Sequence, residues 1–348
     1  MRVVVTGASG NVGTSLLRAL ATDELVQSVV GIARRRPRAR FPKTSWVQAD
    51  VSRDDLEPHL RGADAVVHLA WLIQPSRDEA TLRATNVDGS ARVFGATARA
   101  GVPRLVYASS VGAYSPGPKD RAVDESWPTN GIASSFYARH KAEVERILDG
   151  FEGDHPDLRV ARLRPALCFK REAAAGIRRL FAGPLLPGFL MRPELIPVVP
   201  DIARLRFQAV HSDDVGEAYR LALTRDARGA FNIAAPPVLD PPELGRLLGA
   251  RPVPVRARVL RTVMAATWRL RLQPTPEGWM DMALAVPLMD VTRARRELGW
   301  APRAGAGEAL LDLLRGLRES AGVETPPLDP HAGGPARARE LLSGVGAR

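Results

Sequence analysis

The opening stretch Val3-Val4-Val5-Thr6-Gly7-Ala8-Ser9-Gly10-Asn11-Val12-Gly13 constrains the fold more than any other part of the chain. A β-branched apolar run of this kind reads as a strand buried on both faces, as in a parallel sheet. It breaks into a glycine-rich turn, and Thr14 to Leu20 then resumes at helical spacing. Strand, turn and helix N-terminus together make an anion site. The backbone can approach a pyrophosphate, and unpaired amides with the helix dipole face its charge. Gly7, Ser9, Gly10, Asn11, Val12 and Gly13 are therefore the expected phosphate-binding residues, in a G-x-x-G-x-x-G spacing.

The rest of the chain repeats the alternation. Val26 to Ile32, Ser45 to Val51, Ala65 to Ala70 and Arg104 to Ser110 read as strands, with helical stretches between the later ones. Strands and helices alternating in this way predict an α/β fold, a Rossmann-like doubly wound parallel sheet. In such a fold the tip of the second strand reads the adenosine ribose. A carboxylate there accepts from the 2′-OH, whereas arginine accommodates a 2′-phosphate. The tip carries Ala33, Arg34 and Arg35, with no carboxylate before Asp50, so NADP is favoured over NAD.

Other features narrow the class. A chain of 348 residues with 45% hydrophobic content can bury a large core and carry an appended lobe. There is no apolar run long enough to span a membrane, and the first strand begins too early to leave room for a signal peptide. The single cysteine, Cys168, reads as a small buried hydrophobe and fits a reducing cytoplasm. The net charge of +11 is carried almost wholly by arginine and has no interleaved aromatic residues, so a solvated basic surface is expected and not a nucleic-acid groove. His68 reads as a packed histidine.

Chemistry is expected where the fifth strand ends, at Ser109 and Ser110. Downstream, Tyr137 and Lys141 stand four apart and share one face of a helix running to about Leu148. An ammonium beside a tyrosine stabilises the phenolate and suits it to proton exchange.

With TGASGNVG, Asp50-Val51, His68-Leu69-Ala70, Asn86, Ser110 four residues before Tyr114, Tyr137-x-x-x-Lys141, Arg164-Pro165 and Val210 to Val215, the chain resembles the extended short-chain dehydrogenase/reductase superfamily, in its NAD(P)-dependent epimerase/dehydratase group, over about residues 1–318. The resemblance implies that Ser110 positions the substrate oxygen and that Tyr137 exchanges its proton. Lys141 would lower the Tyr137 pKa and bind the nicotinamide ribose. Asp50 and Val51 would meet the adenine, Leu69 and Ala70 would line the cofactor cleft, and Pro165 would pack near the nicotinamide. The expected layout is a cofactor domain over 1–165 with return segments at about 206–235, a smaller C-terminal substrate-binding lobe from 166–205 and 236–318, and a flexible tail over 319–348 with a short helix at 336–342. Residues 166–205 show no strand ladder in this reading. Arg256 to Leu272 reads as a lobe helix with its apolar face inward, with a membrane-surface helix as the alternative. A homodimer through the tyrosine-bearing helix is the arrangement the family suggests.

Two positions depart from the nucleotide-sugar pattern. No asparagine follows Arg164-Pro165 between Leu167 and Pro200, and Phe207 stands where those members carry an arginine. The substrate expected is thus either a small carbonyl compound or a sugar derivative. The chemistry is oxidoreductase or epimerase, with elimination the least supported, and a non-catalytic NAD(P)-binding sensor is the alternative.

Overall fold

The computed structural model describes residues 1–74, 76–182 and 197–330. Its centre is a seven-stranded parallel sheet. The strands are β1 (Arg2–Thr6), β2 (Ser28–Ala33), β3 (Thr44–Gln48), β4 (Ala65–His68), β5 (Arg104–Ala108), β6 (Arg159–Pro165) and β7 (Gly229–Ile233). Their spatial order is β7-β6-β5-β4-β1-β2-β3, so the direction of winding reverses between β1 and β4. That reversal opens a crevice beyond the carboxyl ends of β1 and β4, the place where open α/β sheets take their ligands.

The continuous apolar run of β1 has a simple cause. Val3 and Val5 pack in the cluster on one face and Val4 in the cluster on the other, all three with no exposed surface. Helices cover both faces. They include α1 (Asn11–Ala21), α2 (Gly89–Arg99), α3 (Phe136–Asp154) and α4 (Ser212–Thr224). Gly216 of α4 lets that helix press against the backbone of α1 at Ser15.

Past β6 the chain leaves the sheet. Leu167–Phe169 pairs in parallel with Phe207–His211, which pairs in turn with Ala235–Leu239 in the antiparallel sense. Val198–Asp201 pairs with Arg251–Pro254. The expectation that 166–205 lacks a strand ladder is therefore corrected. Its strands are short, and their partners lie far along the chain, so no local periodicity signals them.

Three further helices matter to the site. They are α5 (Ala257–Arg269), α6 (Gly278–Ala285) and α7 (Ala306–Glu319). Helix α5 turns only part of its apolar surface inward: Leu260, Met264 and Trp268 are half-buried, none of its residues is fully buried, and Val259 and Val263 are 57% and 51% exposed. Of the stretch read as a tail, residues 321–330 lie against the body, where Glu324 accepts hydrogen bonds from the Arg38 and Ala39 amides. The helix expected at 336–342 lies outside the described residues.

Candidate active site

At the crevice, Gly7 takes φ +69°, and a Cβ there would fall 2.6 Å from the Ala70 amide nitrogen. Only glycine lets β1 pass this close to the end of β4. Helix α1 starts at Gly10, which offers no side-chain cap, so no side chain competes for the first-turn amides of Asn11, Val12 and Gly13. Thr14 instead returns its hydroxyl to the Gly10 and Asn11 carbonyls. Uncapped amides over a cradle without side chains fit a dinucleotide pyrophosphate. Ser9 is buried in the turn.

The flanking positions take their places around this turn. Leu69 and Ala70 are half-buried at the end of β4, and the Leu69 amide donates to Thr6 across the strands. Arg34 and Arg35 are exposed just past β2. Asp50 is half-buried and accepts from the Ser52 amide and hydroxyl. Burial pushes its carboxyl upward, but the Ser52 bonds and the Arg34 and Arg53 charges prevail and hold it below the usual range. Val51 is buried against Gly89. Pro165 ends β6, in register with Ile233.

A second buried group supports the turn and has no signal in the sequence pattern. Lys170, with no exposed surface, donates to Asn11 O (2.8 Å), Thr14 Oγ1 (2.7 Å) and Ser15 Oγ (2.9 Å). Burial pulls its pKa down to about 8, with Asp213 pulling the other way.

The serine, tyrosine and lysine come together at the carboxyl end of β5. Ser110 caps a single turn over Val111–Ala113 by accepting from the Gly112 amide, and its hydroxyl lies close enough to Tyr137 to draw on that phenol's titration. Ser135 caps α3 and sets Tyr137 in its first turn. Burial lifts the Tyr137 phenol to about 12, while the Ser110 hydroxyl draws it down. Lys141 is buried one turn further on. Its Nζ donates to Ala108 O at 2.6 Å, and it lies 5.9 Å from the centre of the Tyr137 ring. Burial holds the ammonium well below its ordinary pKa, and Glu145 works against that shift.

The two serines divide the labour. Ser109 turns inward and donates to Glu145, leaving Ser110 for the cleft. Glu145 lies one turn beyond Lys141, at the end of a Tyr137, Lys141, Glu145 series on one face of α3. Arg164 reaches it through two nitrogens at 2.9 Å, and Arg162 through one at the same distance. Burial would raise its pKa, but the arginines and Ser109 outweigh burial and hold it at about 2. Tyr114 also belongs to this network, donating to Asn232 and accepting from Arg164, and it lies away from the cleft. His68 bonds Thr6 and Ser90, and burial brings it down to about 3, so it stays neutral in the core as its reading predicts.

Aromatic side chains wall the cleft. Trp71 meets Tyr137 edge-on at 5.9 Å and covers the Lys141 ammonium, while Trp279 of α6 lies over the Tyr137 ring at 5.0 Å. Gly112 leaves room for that ring, since a Cβ there would stand 2.9 Å from Tyr137 Cε1 and 3.1 Å from Met282 Sδ. Cys168 is half-buried with its thiol raised to about 12 by burial, which keeps it unreactive at neutral pH.

A doubly wound parallel sheet with an uncapped glycine turn at its switch point is a Rossmann-like fold built for a dinucleotide. The chain belongs to the NAD dependent epimerase/dehydratase family, whose profile matches residues 3–234. An uncharacterized protein of Mycobacterium tuberculosis is 32% identical over 328 residues, 93% of this chain; the chain spans only 31% of that relative's length. A 4-hydroxy-2-methyl-3-oxo-4-farnesyl-3,4-dihydroquinoline-1-oxide ketoreductase of Stigmatella aurantiaca is 26% identical over 333 residues, 90% of this chain and 96% of its own. Among solved structures, a UDP-glucose 4-epimerase of Thermotoga maritima with UDP-glucose superposes with a TM-score of 0.67 at 20% identity, covering 92% of this chain and 99% of that one. Among the described residues no helix is long and apolar enough to cross a membrane, and no group of His, Cys, Asp and Glu could hold a metal ion.

Proposed function

We propose that the chain is a nicotinamide-dependent oxidoreductase acting on an apolar or aromatic carbonyl compound, or the matching alcohol, with Tyr137 as the proton donor and acceptor. The observation that carries this reading is the placing of Ser110 at the end of β5 beside a Tyr137 ring enclosed by Trp71, Trp279 and Met282. Ser110 would hold the substrate oxygen and Tyr137 would give it a proton as the carbonyl carbon is reduced, or take one back as the alcohol is oxidised. A bound nicotinamide supplies or accepts the hydride. Lys141, held against Ala108 O, would place positive charge beside the phenol as the proton leaves.

Three features support an apolar substrate over a nucleotide sugar. The asparagine expected after Arg164-Pro165 is missing. Phe207 stands at the arginine position and packs against the core. Arg206 is engaged by the Lys119 carbonyl and faces Asp240. The likeness to a ketoreductase of a farnesylated ring compound points the same way. Arg34 and Arg35, both exposed just past β2, support NADP as the preferred cofactor.

The test follows NADPH and NADH oxidation with a panel of aromatic and prenylated ketones beside UDP-sugars. Tyr137→Phe should keep dinucleotide binding and lower kcat by about 10²–10⁴. Undiminished turnover in that variant, or turnover confined to UDP-sugars, would overturn the proposal.

A further inference from the structure

The outward face of helix α5 lies outside the chemistry above. Val259, Val263, Ala266 and the C-cap residue Leu270 recur at i, i+4, i+7 and i+11, forming one stripe on the helix. All four are exposed, Leu270 to 68%, and Leu272 just beyond is 46% exposed. Arg256 borders this stripe on one side, Arg258 and Arg269 on the other, and Arg271 follows it. All four are exposed, and none pairs with a carboxylate among the described residues. From Leu244 to Pro276 the sequence contains no Asp or Glu.

The opposite face of the helix is fastened to the body. Arg261 forms an ion pair with Asp281 of α6 at 2.8 Å. Trp268 lies under the Arg77 guanidinium at 4.5 Å. The stripe is thus left outward by two specific contacts on the other side and is not a frayed end.

We propose that this face docks on an anionic lipid surface. An aliphatic stripe bordered by unpaired arginines, without a single acid, is the chemistry by which an interfacial helix lies flat with its apolar side in the acyl boundary and its guanidinium groups on lipid phosphates. Charge complementarity selects that occupant. A second copy of the chain would bring the same four arginines against these and repel them. The Arg261–Asp281 pair fastens the helix to α6, which carries Trp279, so docking would set the mouth of the aromatic cleft beside the lipid.

The experiment is co-sedimentation of the full chain with vesicles of phosphatidylcholine alone and of phosphatidylcholine mixed with phosphatidylglycerol. Dinucleotide binding and thermal midpoint are measured in parallel, which keeps a failure of this proposal separate from a failure of the proposed reaction. Binding is expected only with the anionic vesicles and should weaken as salt rises. Val263→Glu, at an exposed position, should lower it by about tenfold or more with unchanged midpoint and dinucleotide affinity. Arg258→Glu with Arg269→Glu should do the same. Failure to bind anionic vesicles overturns the proposal. So does binding that ignores these substitutions, or self-association that Val263→Glu abolishes in the absence of lipid.

Discussion

The Lys141 ammonium lies 3.4 Å from the centre of the Trp71 ring while its proton is held by the Ala108 carbonyl at 2.6 Å. This contact joins the residue that follows the β4 cleft to the helix that carries Tyr137. A desolvated contact of this type contributes about 2 kcal/mol.

Trp71→Ala should therefore lower unfolding free energy by about 2–4 kcal/mol, counting lost packing with the lost cation contact, and Trp71→Phe by much less. The alanine variant also lets water reach Lys141. Burial is what lowers that pKa, so the titration of Lys141 should move upward. Chemical denaturation and the pH dependence of Lys141 acylation, read by peptide mass spectrometry, check the two halves.

Gly112→Ala should damage turnover selectively. The new methyl would meet the Tyr137 ring at 2.9 Å, and Trp71 and Trp279 leave the ring little room to retreat. Displacing the proposed proton donor should cost about 10- to 100-fold in kcat. Dinucleotide affinity, measured by fluorescence titration, should change little, because the glycine turn lies elsewhere.

Glu145→Gln leaves Arg162 and Arg164 facing each other without the carboxylate between them, and should destabilise the fold by about 3–5 kcal/mol. The pH dependence has a definite sign. The folded pKa of about 2 lies below the ordinary 4.5, so the stabilisation is complete above 4.5 and is lost as pH falls through 2. The displacement corresponds to about 3 kcal/mol. Denaturant midpoints of wild type and variant should accordingly converge as the pH is lowered across that window.

Lys170→Met removes the ammonium beneath the first turn of α1, leaving Asn11 O, Thr14 Oγ1 and Ser15 Oγ without their shared donor. The turn should loosen, and dinucleotide affinity should fall by about tenfold, at one to three kcal/mol of lost hydrogen bonding. Isothermal titration with NADPH and with NADH measures it. An unchanged affinity would make Lys170 a purely internal packing residue.

The parts of this molecule that could be read beforehand are those whose signal is local. Three valines with no exposed surface, one glycine turn and one helix start are eleven consecutive residues, so the pattern is complete within one short stretch of chain. Tyr137 and Lys141 could be paired because helical geometry brings i and i+4 together whatever the fold. Glu145 continues that same face, but its partners Arg162 and Arg164 lie on β6, so its burial and charge depended on a strand the helix does not specify. Lys170 lies 155 residues from Ser15, and nothing in its own surroundings marks it as an ion sealed under the glycine turn.

The sequence alone determined the parallel sheet and its switch-point turn, because periodicity and glycine placement act over a few residues, and its family resemblance pointed to Ser110, Tyr137 and Lys141. Tertiary structure alone decided that Ser109 turns to Glu145 and that Trp71 and Trp279 close around Tyr137. It also decided that α5 turns Val259 and Val263 to the outside. Those outcomes come from competition among partners distant in sequence. Ser109 finds Glu145, Arg261 finds Asp281 and Arg77 finds Trp268, and the face each helix presents follows from which of those contacts is made.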